Sequence, residues 1–205
     1  MVVSKKRMSS RMVSKQQQLR WLQEGRGQGQ LDTYKPFLNV RDNKSLTERS
    51  SRVYGYKTQR THHLFSDLEL ALFLALDRIQ DIEDIREQIP LDLETTVQIA
   101  EDLKIPHPIE QNVHQIITST FFIVNHSPLK PPCFVVKALK STHLELKRTI
   151  AQLELERRYW EQKNIPWFLF TEKDISPTAI DNIKWLYPLN KVNTDISRSA
   201  EHTSE

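Results

Sequence analysis

The chain has 205 residues, of which 38% are hydrophobic, with four Trp and eight Phe, which is enough to fill one core. A single cysteine, Cys133, excludes an intramolecular disulfide framework and suits a reducing cytoplasm. The longest apolar stretch, 70–76, is shorter than the about 20 residues that cross a bilayer, and no secretory signal is evident. We therefore expect a cytoplasmic protein without a membrane partner.

The net charge of +3 is unevenly distributed along the chain. Residues 1–30 carry seven basic side chains against the one carboxylate of Glu24, so the remainder is net negative. We predict a basic flexible arm over residues 1–24, which binds DNA phosphates through counterion release; an arm that is merely disordered and solvated is the alternative. The phosphate contacts expected in this arm are Lys5, Lys6 and Arg7.

Helix and strand signals follow the arm in chain order. Residues 66–77 are apolar on nearly every face and predict a buried helix. An isoleucine-rich segment ends at Pro90, and residues 91–103 predict a short surface helix. Two apolar runs, 116–124 and 133–139, then predict strands that are joined by a proline-rich turn.

Residues 142–163 have the clearest helical periodicity in the chain. Leu146, Ile150 and Leu153 predict one apolar stripe facing the core. The remaining segments are a third strand at 167–170, a terminal helix at 176–188 and a polar tail at 189–205. This order of elements predicts a mixed α/β fold.

Several blocks of the sequence resemble those of a known family. The blocks lie at 25–41, 62–70, 84–91 and 153–173. In this order they resemble the TnsA family, the endonuclease subunit of a two-component transposase that works beside a DDE-type partner, TnsB. The resemblance covers about residues 25–175 and implies one nuclease-fold domain there. It also implies a restriction-endonuclease-like core, in which a central mixed sheet is flanked by helices.

The resemblance implies magnesium-dependent DNA cleavage, in which carboxylates hold the ion against the scissile phosphate. The family's pattern has a Glu on the first helix, an Asp on the next strand and Gln-x-Lys on the strand after it. Glu69 matches the helix carboxylate and metal ligand, although Ser66 and Glu69 also form a capping-box pattern. The family Asp falls on Thr120. No Asp or Glu occurs between Gln111 and Leu144, so we expect an impaired magnesium site.

The family lysine can be matched to Lys137 or to Lys140, and neither register supplies the glutamine. Strand alternation places Lys137 on the face of Val135 and Leu139. This lysine would snorkel to an edge, bind DNA phosphate or pair with a carboxylate. If Glu69 is close by, an ion pair with either Lys137 or Lys140 could replace the metal. A displaced carboxylate could come only from outside the two strands. The candidates on the long helix are Glu145, Glu154 and Glu156.

The resemblance also implies partners: transposon-end DNA, a TnsB-like transposase and a TnsC-like ATPase regulator. Arg26 in the glycine-rich entry, and Arg49 and Arg52 in a loop similar to the family's, are further expected phosphate contacts. The family commonly has a second, winged-helix-like domain that contacts TnsC, and none is recognised after Thr171, which puts recruitment by that route in question.

Three hypotheses follow. The first is a TnsA-like transposase subunit with an impaired nuclease centre that binds transposon ends. The second is an active metal-dependent endonuclease that cuts the 5′ ends of the element. The third is a DNA-binding regulator that uses the same fold.

Overall fold

A computed structural model of the protein describes residues 13–42 and 49–187. The helices within these ranges are α1 (Lys15–Gln23), α2 (Asp67–Leu76), α3 (Leu93–Leu103), α4 (Lys147–Gln162) and α5 (Pro177–Leu186). The strands are β1 (Ser51–Gly55), β2 (Arg60–Leu64), β3 (Ile82–Pro90), β4 (Ile109–Glu110), β5 (Val113–His114), β6 (Thr118–Asn125), β7 (Cys133–Ala138) and β8 (Trp167–Phe170). None of the helices in the described ranges is long and apolar enough to span a membrane.

The centre of the molecule is a four-stranded sheet with the order β3-β6-β7-β8. Strands β3, β6 and β7 are antiparallel, and β8 is parallel to β7 because α4 connects the two as a crossover. β1 pairs with β2 and β4 with β5 in separate hairpins. The predicted mixed α/β class, with a central mixed sheet flanked by helices, is confirmed.

Different helices cover the two faces of this sheet. On one face, α2 and the end of α5 pack against alternate residues of the strands, including Phe121 on β6 and both Val136 and Ala138 on β7. On the other face, α3 and α4 pack against Val135 and the partly buried Phe122. We call these the α2 face and the α4 face.

The segment predicted as a flexible arm is ordered from residue 13 onward. Helix α1 is capped by Ser14, and Gln18 joins it to the domain by accepting from the Ile116 amide (2.8 Å) and donating to the His114 carbonyl (3.1 Å). Trp21 is buried and packs edge-on against Phe37. The expected mobility of residues 13–24 is therefore corrected, because one glutamine satisfies two backbone groups and a Trp joins the core. Lys5, Lys6 and Arg7 lie outside the described residues.

The apolar stripe predicted for the long helix is wrong. α4 begins at Lys147 after a short 3-10 turn, and Leu146 and Ile150 are 56% and 53% exposed. The buried side is instead formed by Leu155, Tyr159 and Trp160, since only the C-terminal half of the helix lies over the sheet. Tyr159 and Trp160 belong to the cluster against which Trp167 of β8 packs.

A buried network at Glu87 attaches the β1–β2 hairpin to the sheet. Arg60 donates two hydrogen bonds to the Glu87 carboxylate (2.9 and 2.6 Å), and His62 Nδ1 lies 2.7 Å from it. The His63 amide also donates to the carboxylate (3.1 Å). Burial by itself would raise the pKa of Glu87, but the charges and hydrogen bonds of His62 and Arg60 outweigh it and hold that pKa well below its usual range.

We expect Glu87→Gln to lower the free energy of unfolding by about 3–5 kcal/mol, because it leaves the Arg60 cation buried without its charge partner. Since the pKa of Glu87 is lower in the folded state, its stabilisation is complete above its unfolded pKa of about 4.3 and decreases as the pH falls below that value. Urea unfolding at pH 7 and pH 3 would measure both effects. Glu83→Gln on the same strand, which is exposed, is the control; equal loss in the two variants would contradict the prediction.

The two halves of α4 should respond differently to truncation. Leu155→Ala should lower the free energy of unfolding by about 2–5 kcal/mol, because it opens a cavity under the helix. Ile150→Ala, at a half-exposed position, should change it by less than about 0.5 kcal/mol. Thermal or chemical denaturation measures both, and a larger loss at Ile150 would restore the periodicity prediction.

Candidate functional site

A cleft of about 480 Å³ opens on the α4 face, where β6 begins and β7 ends. Its walls include Thr118, Lys137 and Glu156, and helix α1 contributes Gln18 and Trp21. The cleft therefore lies over the strands to which the family's Asp and Gln-x-Lys positions were matched.

Lys137 makes two polar contacts in this cleft. Its Nζ donates to the Thr118 carbonyl (2.8 Å) and lies 3.2 Å from Glu156 Oε2. The Glu156 side chain is 1% exposed, and its other oxygen accepts from Trp167 Nε1 (3.1 Å). Lys137 thus pairs with a carboxylate on α4, one of the three displaced candidates, because alternation along β7 turns it toward the α4 face.

The three hydroxyl side chains at the start of β6, including that of Thr120, are all bonded within the fold. Thr120 is buried, and its Oγ1 accepts from the Ala138 amide (3.1 Å). Thr118 Oγ1 donates to Gln88 Oε1 (3.0 Å), and Ser119 Oγ accepts from Trp160 Nε1 (2.8 Å). This stretch of β6 is therefore tied to β7, β3 and α4 by neutral contacts.

Glu69 lies at the start of α2, whose apolar side packs against the opposite face of the sheet from the one that Lys137 faces. Its Oε2 accepts from the Phe65 amide (2.8 Å), and its own amide donates to Ser66 Oγ (3.0 Å). The capping role noted in the sequence is thus present, although the side chain bonds to Phe65 rather than to Ser66. Lys140 lies beyond β7, immediately before the 3-10 turn, and is exposed.

The other two displaced carboxylates are an exposed side chain and one that is already bonded to arginines. Glu145 is exposed in the 3-10 turn. Glu154 accepts hydrogen bonds from Arg157 and Arg158 (2.9 Å each), and these contacts lower the pKa of Glu154 to about 2. Both arginines are thereby engaged on the outer side of α4.

The residues present do not fit the magnesium site that the family pattern implies. Magnesium takes oxygen ligands and relies on carboxylates to offset the loss of its hydration. Among the positions matched to the family only Glu69 is acidic, and one of its oxygens serves the helix cap. Glu156 is acidic too, but it is paired with Lys137. Within residues 13–42 and 49–187, no three His, Cys, Asp or Glu side chains are grouped so that they could hold an ion.

The expected DNA contacts fall into two classes. Arg26 is mostly buried: it pairs with Asp42 (2.5 Å) and Glu24 (3.1 Å) and lies over the Trp21 ring. These contacts hold the guanidinium against α1 and the loop that follows it, so a phosphate contact by Arg26 would compete with internal ion pairs. Arg49 and Arg52, in contrast, are exposed just before and on β1.

Sequence reasoning missed two parts of this arrangement. The Glu87 network and the anchoring of α1 by Gln18 depend on contacts between residues far apart in the chain. The Lys137–Glu156 pair had one signal, a lysine in an apolar strand that needs a partner, but the pattern could not identify which carboxylate supplies it.

Two comparisons with known proteins agree with this fold. Residues 80–172 match the family described as TnsA-like endonuclease N terminal. The chain is also 46% identical over 169 residues to the Transposon Tn7 transposition protein TnsA of Escherichia coli, an alignment that covers 82% of this chain. The chain spans 61% of the length of that relative. With the mixed sheet and the order of the motifs along it, these matches show that the chain belongs to the TnsA family.

Proposed function

We propose that this protein acts in DNA transposition as a TnsA-like subunit that binds transposon-end DNA beside a TnsB-like transposase, with an impaired nuclease centre. The observation that carries the impaired centre is the pairing of Thr120 with the Ala138 amide where the family pattern has an Asp. A buried hydroxyl brings no charge to offset the desolvation of a divalent ion.

The contacts around the cleft support the same proposal. Phosphodiester cleavage by a metal nuclease needs an ion that activates water and stabilises the developing charge. Here the buried carboxylate nearest the matched lysine is already neutralised by Lys137. The protein would hold the transposon end without cutting it, so excision would stay incomplete and a cointegrate-type product would be favoured.

DNA binding in this proposal is assigned to exposed cations outside the cleft. Arg49 and Arg52 are exposed near β1, where their charges can reach phosphates. The TnsC-like regulator remains a further proposed partner, for which the family resemblance is the support.

Nicking of transposon ends tests the impaired centre. With a TnsB-like partner and magnesium present, we expect the purified protein to leave the 5′ ends uncut, and Glu69→Ala to give the same product pattern. The assay resolves each strand of an end-labelled substrate on a denaturing gel. Efficient cutting of the strand opposite the TnsB cut, lost in Glu69→Ala, would contradict the proposal.

DNA affinity tests the assigned contacts. Arg49→Ala and Arg52→Ala should each reduce the slope of log K against log salt by about 1 without changing thermal stability. Arg26→Ala should instead lower the melting temperature, because it removes the contacts with Asp42 and Trp21. Fluorescence anisotropy on an end sequence and thermal denaturation separate the two classes. An unchanged salt slope for both exposed arginines would remove them from the DNA interface.

An active endonuclease with a rearranged site is the second candidate. The specific observation in its favour is that a carboxylate and a lysine, Glu156 and Lys137, do meet in the cleft. If they formed the centre, Glu156→Gln would abolish magnesium-dependent nicking. The same nicking gel, run with Glu156→Gln beside Glu145→Gln, decides between the two candidates.

A further inference from the structure

The polar contacts of Lys137 converge on one point in the cleft. Its ammonium lies 2.8 Å from the main-chain oxygen of Thr118 and 3.2 Å from a carboxylate oxygen of Glu156. A carbonyl and a carboxylate oxygen directed at the same position are the kinds of ligand that hard divalent cations take. In this protein a lysine side chain supplies the cation instead.

The charge of Glu156 requires such a partner. The residue is 1% exposed, and a carboxylate removed from water is costly unless it is paired and hydrogen-bonded. Trp167 Nε1 satisfies one oxygen, but as a neutral group it leaves the charge uncompensated. Lys137, which is 22% exposed and lines the cleft, is the cation within contact distance among the described residues.

We propose that the Lys137 ammonium is a built-in substitute for a divalent cation at Glu156, and that removing it turns Glu156 and the Thr118 carbonyl into a site for Mn²⁺. This inference rests on the proposed function, since it explains how an impaired centre keeps a buried carboxylate. It predicts a metal site whose occupancy is controlled by one side chain.

Manganese binding followed by electron paramagnetic resonance tests the proposal. Lys137→Ala removes the charge and opens space beside the cleft, and it should bind Mn²⁺ at about 1 mM or tighter, as weak oxygen sites do. The wild type should show at least tenfold weaker uptake. Lys147→Ala, an exposed position on the first turn of α4 with the same loss of charge, should match the wild type.

Two further variants identify the ligands. Lys137→Met removes the charge but fills the space, so it should lose stability without gaining Mn²⁺. Lys137→Ala combined with Glu156→Gln should lose the uptake seen in Lys137→Ala. Uptake that persists in this double variant, or wild-type uptake equal to that of Lys137→Ala, would overturn the proposal.

Folding provides an independent outcome. If Lys137→Ala folds only when Mn²⁺ is added, as judged by circular dichroism, the substitution of metal for ammonium is supported. Failure to fold in either condition, or folding without any uptake, overturns it. The proposed function and this inference can fail separately. If the wild type nicks transposon ends but shows no Mn²⁺ signal that depends on Glu156, the impaired nuclease is refuted and this inference stands.

Discussion

The alternation of side chains along β7 is the constraint on which this site depends. Val136 and Ala138 pack on the α2 face, whereas Val135 and Lys137 point to the α4 face. A strand in the middle of a sheet cannot slip by one residue without moving its whole apolar set to the wrong side. The lysine is therefore held on the side of α4, and Glu156 lies within reach there.

The hydroxyl side chains at the start of β6 are satisfied by hydrogen bonds within the fold. Thr118, Ser119 and Thr120 each bond to a different neighbouring element. A buried polar group without a partner costs about 1–3 kcal/mol. Because each of the three hydroxyls has a partner, these neutral side chains avoid that cost.

The elements around the sheet are attached by buried polar contacts. Gln18 joins α1 to the strand that precedes β6, and Glu87 joins the β1–β2 hairpin to β3 through Arg60 and His62. Both contacts are directional, so they set the position of α1 along the cleft and of β1 with its exposed arginines. The proposed DNA-binding side chains and the cleft are thus attached to the same central sheet.

The amino-acid sequence by itself determined the fold class, the strands at β6 and β7, the buried helix α2 and the membership of the TnsA family, since each depends on local periodicity or on the order of motifs. It also led to the prediction that Thr120 stands where the family pattern has an Asp. Only the tertiary structure decided that α1 is part of the domain, that α4 buries Leu155 rather than Ile150, and that Lys137 pairs with Glu156. The physical reason is that ion pairs, buried hydrogen bonds and the buried side of a helix depend on which distant segments meet.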